Sequence, residues 1–126
     1  MRLLGIDYGD KKIGLAISEG LLAEPIEVVP VQRGVSQILR ICHENRIEKI
    51  VVGISEGIMA EKSREFAKML GKATGLSVEL WDETLTTQEA VDKMRQLGKK
   101  KKDEDAISAA LILQAYLDNQ FNNLTI

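Results

Sequence analysis

Three separated stretches of this chain carry acids where chemistry could use them. They are Asp7 in GIDYGDKK, Asp82-Glu83 in LWDETLTT, and Asp103-Glu104-Asp105 ahead of AISAALILQAYL. Asp7 closes a run of strand-forming residues, a position where a charge needs a reason. Carboxylates brought together from distant stretches offer the hard oxygen ligands that Mg²⁺ or Mn²⁺ takes, and such ions keep positions open for phosphates and water. Two of them can stabilise the attacking and leaving oxygens of a phosphodiester. Each acid also has a plain structural use. Asp7 could shape a turn, and Asp103 to Asp105 could complement a helix dipole, worth about 0.3 to 1 kcal/mol.

Other chemistries have less to work with. His43 is the only histidine and stands beside Cys42, the only cysteine. That neighbour pair cannot supply a zinc site, and one cysteine excludes an internal disulfide. Cys42 reads as a core thiol and His43 as a surface residue. Lys11 and Lys12 follow Asp7, while Lys99-Lys100-Lys101-Lys102 run directly into Asp103. Both groups can contact phosphate as a cationic rim around an acidic centre, or simply keep a loop solvated. Trp81, next to Asp82, can stack on a base or pack in the core.

The elements that must position these residues can be read from periodicity. Arg2 to Asp7 and Ile13 to Ser18 alternate as two strands around a short glycine-containing turn, and a third is expected from Ile26 to Val31. Val35, Ile38, Leu39 and Cys42 give helical spacing over Gly34 to about Asn45. The continuous apolar run Lys49 to Ile54 predicts a strand covered on both faces. A second helix is expected from about Ala60 to Ala73, with Phe66, Met69, Leu70 and Ala73 inward and Gly75 as its stop. Ser77 to Asp82 makes a fifth strand. Thr86-Thr87-Gln88-Glu89 has the form of a capping box opening a helix that runs to about Leu97. Asp103 can cap a last helix, apolar almost all round and so buried against the sheet.

A meander followed by alternating helices and strands predicts an α/β fold: a mixed five-stranded sheet, antiparallel first and then parallel, flanked by helices. Sites in such sheets collect at the carboxyl ends of central strands, which is where Asp7 falls. The 126 residues suit one domain, 1–126, and 44% hydrophobic with 29% charged residues is a globular balance. With neither a leader pattern nor a spanning apolar run, the expectation is a soluble, cytoplasmic protein without a membrane partner. The formal net charge of -2 says little about partners.

Over nearly its whole length the chain resembles the YqgF/RuvX family of RNase H-like nucleases. The matching stretches are LLGIDYGDKKIGLAIS, KIVVGI, DETLTTQEA and DAISAALILQAYL. The resemblance implies a metal-dependent hydrolase of phosphodiester bonds. Its substrate would be the 5′ end of precursor 16S ribosomal RNA, in ribosome biogenesis, or alternatively a Holliday junction in DNA recombination and repair. It also implies Asp7, Glu83 and Asp105 as the catalytic and metal-binding carboxylates, with Mg²⁺ or Mn²⁺ as cofactor. The chain departs from the family pattern at Thr84, where Asp-Glu-Arg is usual, and at Ile54 to Ala60, where Leu-Pro and an Asp-Gly turn are usual. Glu56 in that second stretch is an alternative second carboxylate.

Two other classes share some of these features. Asp-x-Gly at a strand turn also resembles the phosphate loop of actin-like and sugar-kinase ATPases, but those proteins clamp nucleotide between two such domains. A non-catalytic nucleic-acid-binding or ribosome-assembly module is the third class, and the missing arginine at Thr84 suits it. Monomer and homodimer are both open, and symmetric cleavage of a junction would need the dimer.

Overall fold

The computed structural model describes residues 1–86, 88–98 and 104–124. In chain order the elements are β1 (Leu3–Tyr8), β2 (Lys12–Ser18), β3 (Ala23–Pro30), α1 (Gly34–Glu44), β4 (Lys49–Ile54), α2 (Ile58–Thr74), β5 (Ser77–Asp82), α3 (Gln88–Gly98) and α4 (Glu104–Leu124). Strand order across the sheet is β3-β2-β1-β4-β5. The first three strands pair antiparallel, and β4 joins β1 and β5 in parallel. The mixed sheet expected from the sequence is the one that forms, with β1 at its centre.

The two faces of the sheet are packed differently. On one, α1 and α2 cover Leu4, Ile6, Ile13, Leu15, Ile50 and Val52 with Ile38, Ile41, Phe66 and Leu70. Full burial of each such side chain contributes roughly 1.5 to 3 kcal/mol. On the other face α4 lies almost directly on the backbone. A Cβ at Gly5 would stand 2.7 Å from the Cβ of Leu113, and one at Gly14 would collide with the Asp105 carbonyl. Glycine inside a strand is thus used here for close approach of another backbone. Ala109, Ile112, Leu113 and Tyr116 of α4 then pack on Leu3, Ala16 and Val51.

Three expectations change in detail. β3 begins at Ala23, three residues early, and takes in Pro25. Proline is tolerated there because β3 is an edge strand and Pro25 pairs with Ala16 beside a register shift. In α1, Leu39 is 38% exposed; the buried positions are Gly34, Ile38, Ile41 and Cys42. In α2 the inner face is Ala60, Ser63, Phe66, Ala67 and Leu70, while Met69 is 53% exposed and Ala73 also faces solvent. Phe66 lies on that inner face, its ring tilted 34° against Tyr8 with centroids 4.6 Å apart. Of the expected capping box, Thr87 lies outside the described residues, and Thr86 turns back to the corner before it. Its hydroxyl donates to the Glu83 carbonyl, and Glu89 pairs with Lys93. Gly75 ends α2 as expected, with φ 72° and its amide donating to the Gly71 carbonyl. Among the described residues no helix is long and apolar enough to cross a membrane.

Candidate active site

Asp7 stands next to last on the central strand, paired in register with Gly14 of β2. Its neighbour Ile6 pairs with Val52 of β4, so Gly53 comes alongside. These two glycines flank the carboxylate and admit its companions. Gly14 leaves room for the backbone of Asp105 at the start of α4. At Gly53 a Cβ would lie 3.0 Å from Glu83 Oε1.

Glu83 is delivered by a tight corner. β5 ends at Asp82, whose Oδ1 accepts from the Thr84 amide at 2.9 Å and the Thr84 hydroxyl at 2.8 Å. Those two bonds hold the Asp82 carboxyl below its ordinary range. A single 3₁₀ turn over Glu83–Leu85 follows, closed by the Thr86 amide and hydroxyl donating to the Glu83 carbonyl at 3.2 and 2.8 Å. With both sides of the corner tied, the Glu83 side chain is directed over β4 toward Asp7. Asp7, Glu83, Thr86, Ser108, Leu111 and Ile112 enclose a cleft of about 250 Å³.

The electrostatics follow from that crowding. The Asp7 carboxyl is pushed from its ordinary 3.8 up to about 7, first by burial, then by the charge of Glu83 and a hydrogen bond with it, and last by the charge of Asp105. Burial disfavours the charged form, and so do like charges nearby. In the absence of a cation the Asp7 carboxyl therefore holds its proton far above the usual carboxylate range. As donors the three carboxylates fit a divalent ion, which would replace that proton and offset the repulsion. Among the described residues no group of three or more His, Cys, Asp or Glu side chains is already drawn tightly enough to enclose an ion.

The structure thus brings Asp7, Glu83 and Asp105 to one end of the central strands. Lys11 and Lys12 are exposed on the β1–β2 turn at that same end. Lys99 to Lys102, and Asp103 with them, lie outside the described residues. Glu56 is exposed beyond β4 and lines a different cavity, with Arg64 and Asp82; it is absent from the groups acting on Asp7. His43 is exposed, and Cys42 is buried with its thiol pushed up to about 11, which makes it inert. Trp81 is a packing residue, edge-on to Tyr116 at 5.7 Å. Sequence reasoning missed Gly14, Gly53 and Ser108. An isolated glycine inside a strand was the available signal for the first two. Ser108, one turn beyond Asp105, gave none.

Sheet order, helix placement and this acidic end define an RNase H-like fold of the resolvase type. A Thermus thermophilus RuvC solved with a Holliday junction substrate superposes with a TM-score of 0.72 at 16% identity, covering 97% of this chain and 96% of that one. The fowlpox virus Holliday junction resolvase gives 0.61 at 14% identity, covering 95% and 99%. The chain belongs to the RuvX family, described as Holliday junction resolvase, which matches residues 1–119. A relative from Agathobacter rectalis, provisionally named a pre-16S rRNA nuclease, is 37% identical over 98% of this chain and 99% of its own. One from Syntrophus aciditrophicus with the same name is 40% identical over 94% and 89%.

Proposed function

We propose that this protein is a divalent-metal-dependent nuclease of the cytoplasm that hydrolyses phosphodiester bonds in RNA during maturation of precursor 16S rRNA. Asp7, Glu83 and Asp105 would hold Mg²⁺ or Mn²⁺. The observation that carries this reading is the Asp7 carboxyl, raised to about 7 by burial beside Glu83 and Asp105. Groups shifted in this way by a specific charge partner in a cleft concentrate at functional sites. Family membership and the names of the relatives support the choice of substrate.

When bound, the ion supplies Lewis-acid stabilisation for the charge that develops on the phosphate. The protein's own residues do the rest. Glu83, fixed by the Asp82–Thr84 and Thr86 bonds, is held at a set distance from β1. Leu111 and Ile112 wall one side of the cleft and limit water to the polar side, where Ser108 stands. Water is the nucleophile, and an oxygen of the ionised Asp7 carboxylate that the ion leaves free accepts its proton. Lys11 and Lys12 contact flanking phosphates from the β1–β2 turn.

Cleavage of four-way DNA junctions is the second reading, favoured by the family's description. It would require two copies of the chain acting on symmetric strands. Matched precursor rRNA, single-stranded RNA and four-way junction substrates, each with Mg²⁺ or Mn²⁺ and each beside an Asp7→Asn control, separate the two. Preferential cleavage of the precursor at its 5′ end supports the first reading. Cleavage of the junction alone supports the second. Binding with no cleavage under any metal would leave a non-catalytic module and overturn both.

A further inference from the structure

Asp82 and Glu83 are consecutive, yet they line different cavities. Glu83 faces the acidic cleft, whereas Asp82 lines a larger one of about 480 Å³ at the end of β4, with Glu56, Leu80 and Arg64. Arg64 and Leu80 also line a third cavity of about 340 Å³ between α2 and β5, together with Ala67, Lys68 and Val78. Because Arg64 and Leu80 line both, the second and third cavities adjoin and together form a groove. It begins at the Asp82–Glu83 corner and runs along the seam between a single helix and the edge strand.

The lining of that groove has an uneven polarity. Arg64 and Lys68 are one turn apart on α2, about 6 Å along its axis. Among the described residues neither makes a hydrogen bond or ion pair, whereas Lys62 on the same helix reaches Asp10 at 3.8 Å. Leu80 is 45% exposed although it sits on a strand, and Val78 is half-buried beneath it. Two unpaired cations beside an exposed aliphatic strip offer charge to a nucleic-acid backbone and apolar contact to a sugar or base edge. The carboxylates of Glu56 and Asp82 stand at the end nearest the acidic cleft, so repulsion favours phosphates farther along, at Arg64 and Lys68.

We propose that the α2–β5 groove is the track on which a single-stranded segment of the substrate leaves the cleavage position. Arg64 and Lys68 contact successive phosphates, and Leu80 packs against the nucleotide between them. This rests on the nuclease reading and extends it by naming the strand's path. It also supplies, from α2, the basic side chain that the chain lacks at Thr84.

The test is the salt dependence of binding for fluorescent single-stranded RNA oligonucleotides in EDTA, comparing wild type, Arg64→Ala/Lys68→Ala and Lys62→Ala. Each lost phosphate contact lowers the single-strand slope of log K against log salt by about 0.7, so the double variant should lose about 1.4. Its affinity should fall about tenfold, and Lys62→Ala should match wild type. With Mg²⁺ and a cleavable RNA, KM should rise while kcat stays within about twofold, because the substituted residues do not touch the reacting phosphate. All three side chains are exposed, and thermal melting checks that each variant is folded. An unchanged slope in a folded double variant overturns the track, as does an equal loss in Lys62→Ala. Failure of the wild type to bind RNA both in EDTA and with Mg²⁺ overturns the track and the RNA-nuclease reading together. Cleavage by wild type with an unaltered double variant would overturn the track alone.

Discussion

The carbonyl of Asp105 rests on Gly14, the residue paired in register with Asp7, so the first turn of α4 is seated where any side chain on β2 would lift it away. Gly14→Ala should therefore disturb the acidic end more than its single methyl suggests. The neighbour it meets is backbone, which cannot swing aside as a flexible side chain can. Destabilisation on the order of 1 to 3 kcal/mol is expected from the overpacking. Nuclease activity should fall further than the melting temperature alone explains. Gly20→Ala, with nothing within 4 Å of the added carbon, should be close to neutral. Melting curves and cleavage rates for the two variants provide the check.

The raised Asp7 carboxyl makes metal-free stability depend on pH. Folded, it holds its proton to about 7, whereas in the unfolded chain it loses it near 3.8. Between those values the folded state binds more protons, so stability is fully present below about pH 4 and is lost as pH rises through about 7. Asp7→Asn keeps the size and removes the charge. In EDTA at pH 8 it should melt at the same temperature as wild type or higher, by on the order of 1 to 4 kcal/mol, and its stability should vary less between pH 4 and 7. An asparagine variant that melts clearly lower in EDTA would mean that the carboxylate serves a structural purpose.

Metal should reverse that order. Wild type should gain stability from Mg²⁺ by mass action, with apparent affinity rising from pH 5 to 8 as the Asp7 proton is displaced. Asp7→Asn should gain much less. Isothermal titration at several pH values, together with proton release into a weak buffer, measures both effects.

Glu83 and Glu56 are distinguished by which cavity they line. Glu83→Gln should lower metal-dependent cleavage at least about 10²-fold. Glu56→Gln, remote from the groups acting on Asp7, should remain within about tenfold of wild type. Comparable losses at both positions would show that the end of β4 belongs to the reacting centre after all.

Lys93 on α3 donates to Asp118 Oδ1 at 2.9 Å, and the Asp118 Oδ2 atom is buried without a hydrogen-bond partner among the described residues. Gln114 completes this link, donating to Asp118 and to the Leu21 carbonyl and accepting from the Ala23 amide. Lys93→Met should leave a poorly compensated buried carboxylate, destabilising the protein by about 1 to 3 kcal/mol. Adding Asp118→Asn should recover much of that loss. A double-mutant cycle in urea isolates the pair.

The types and order of the elements were legible in the sequence because they rest on local periodicity. Alternation fixed the strands, the unbroken run Lys49 to Ile54 marked a strand buried on both faces, and Gly75 marked a helix end. The acids were legible too, since Asp7, Glu83 and Asp105 each stand at the end of such an element. What periodicity could not give was the exact phase of α2, where Ser63 and Ala67 face inward instead of Met69 and Ala73, or tolerance of Pro25 inside a strand, which depends on that strand lying at the sheet's edge. Nor could it give the distance between acids that are about a hundred residues apart. That distance depends on how closely α4 approaches the sheet, and the approach is set by the absence of side chains at Gly5, Gly14 and Gly53. The sequence by itself determined that carboxylates would arrive at one end of the sheet. Only the tertiary structure, through backbone packed on glycine, decided that Glu83 and Asp105 would come close enough to raise the buried Asp7 carboxyl.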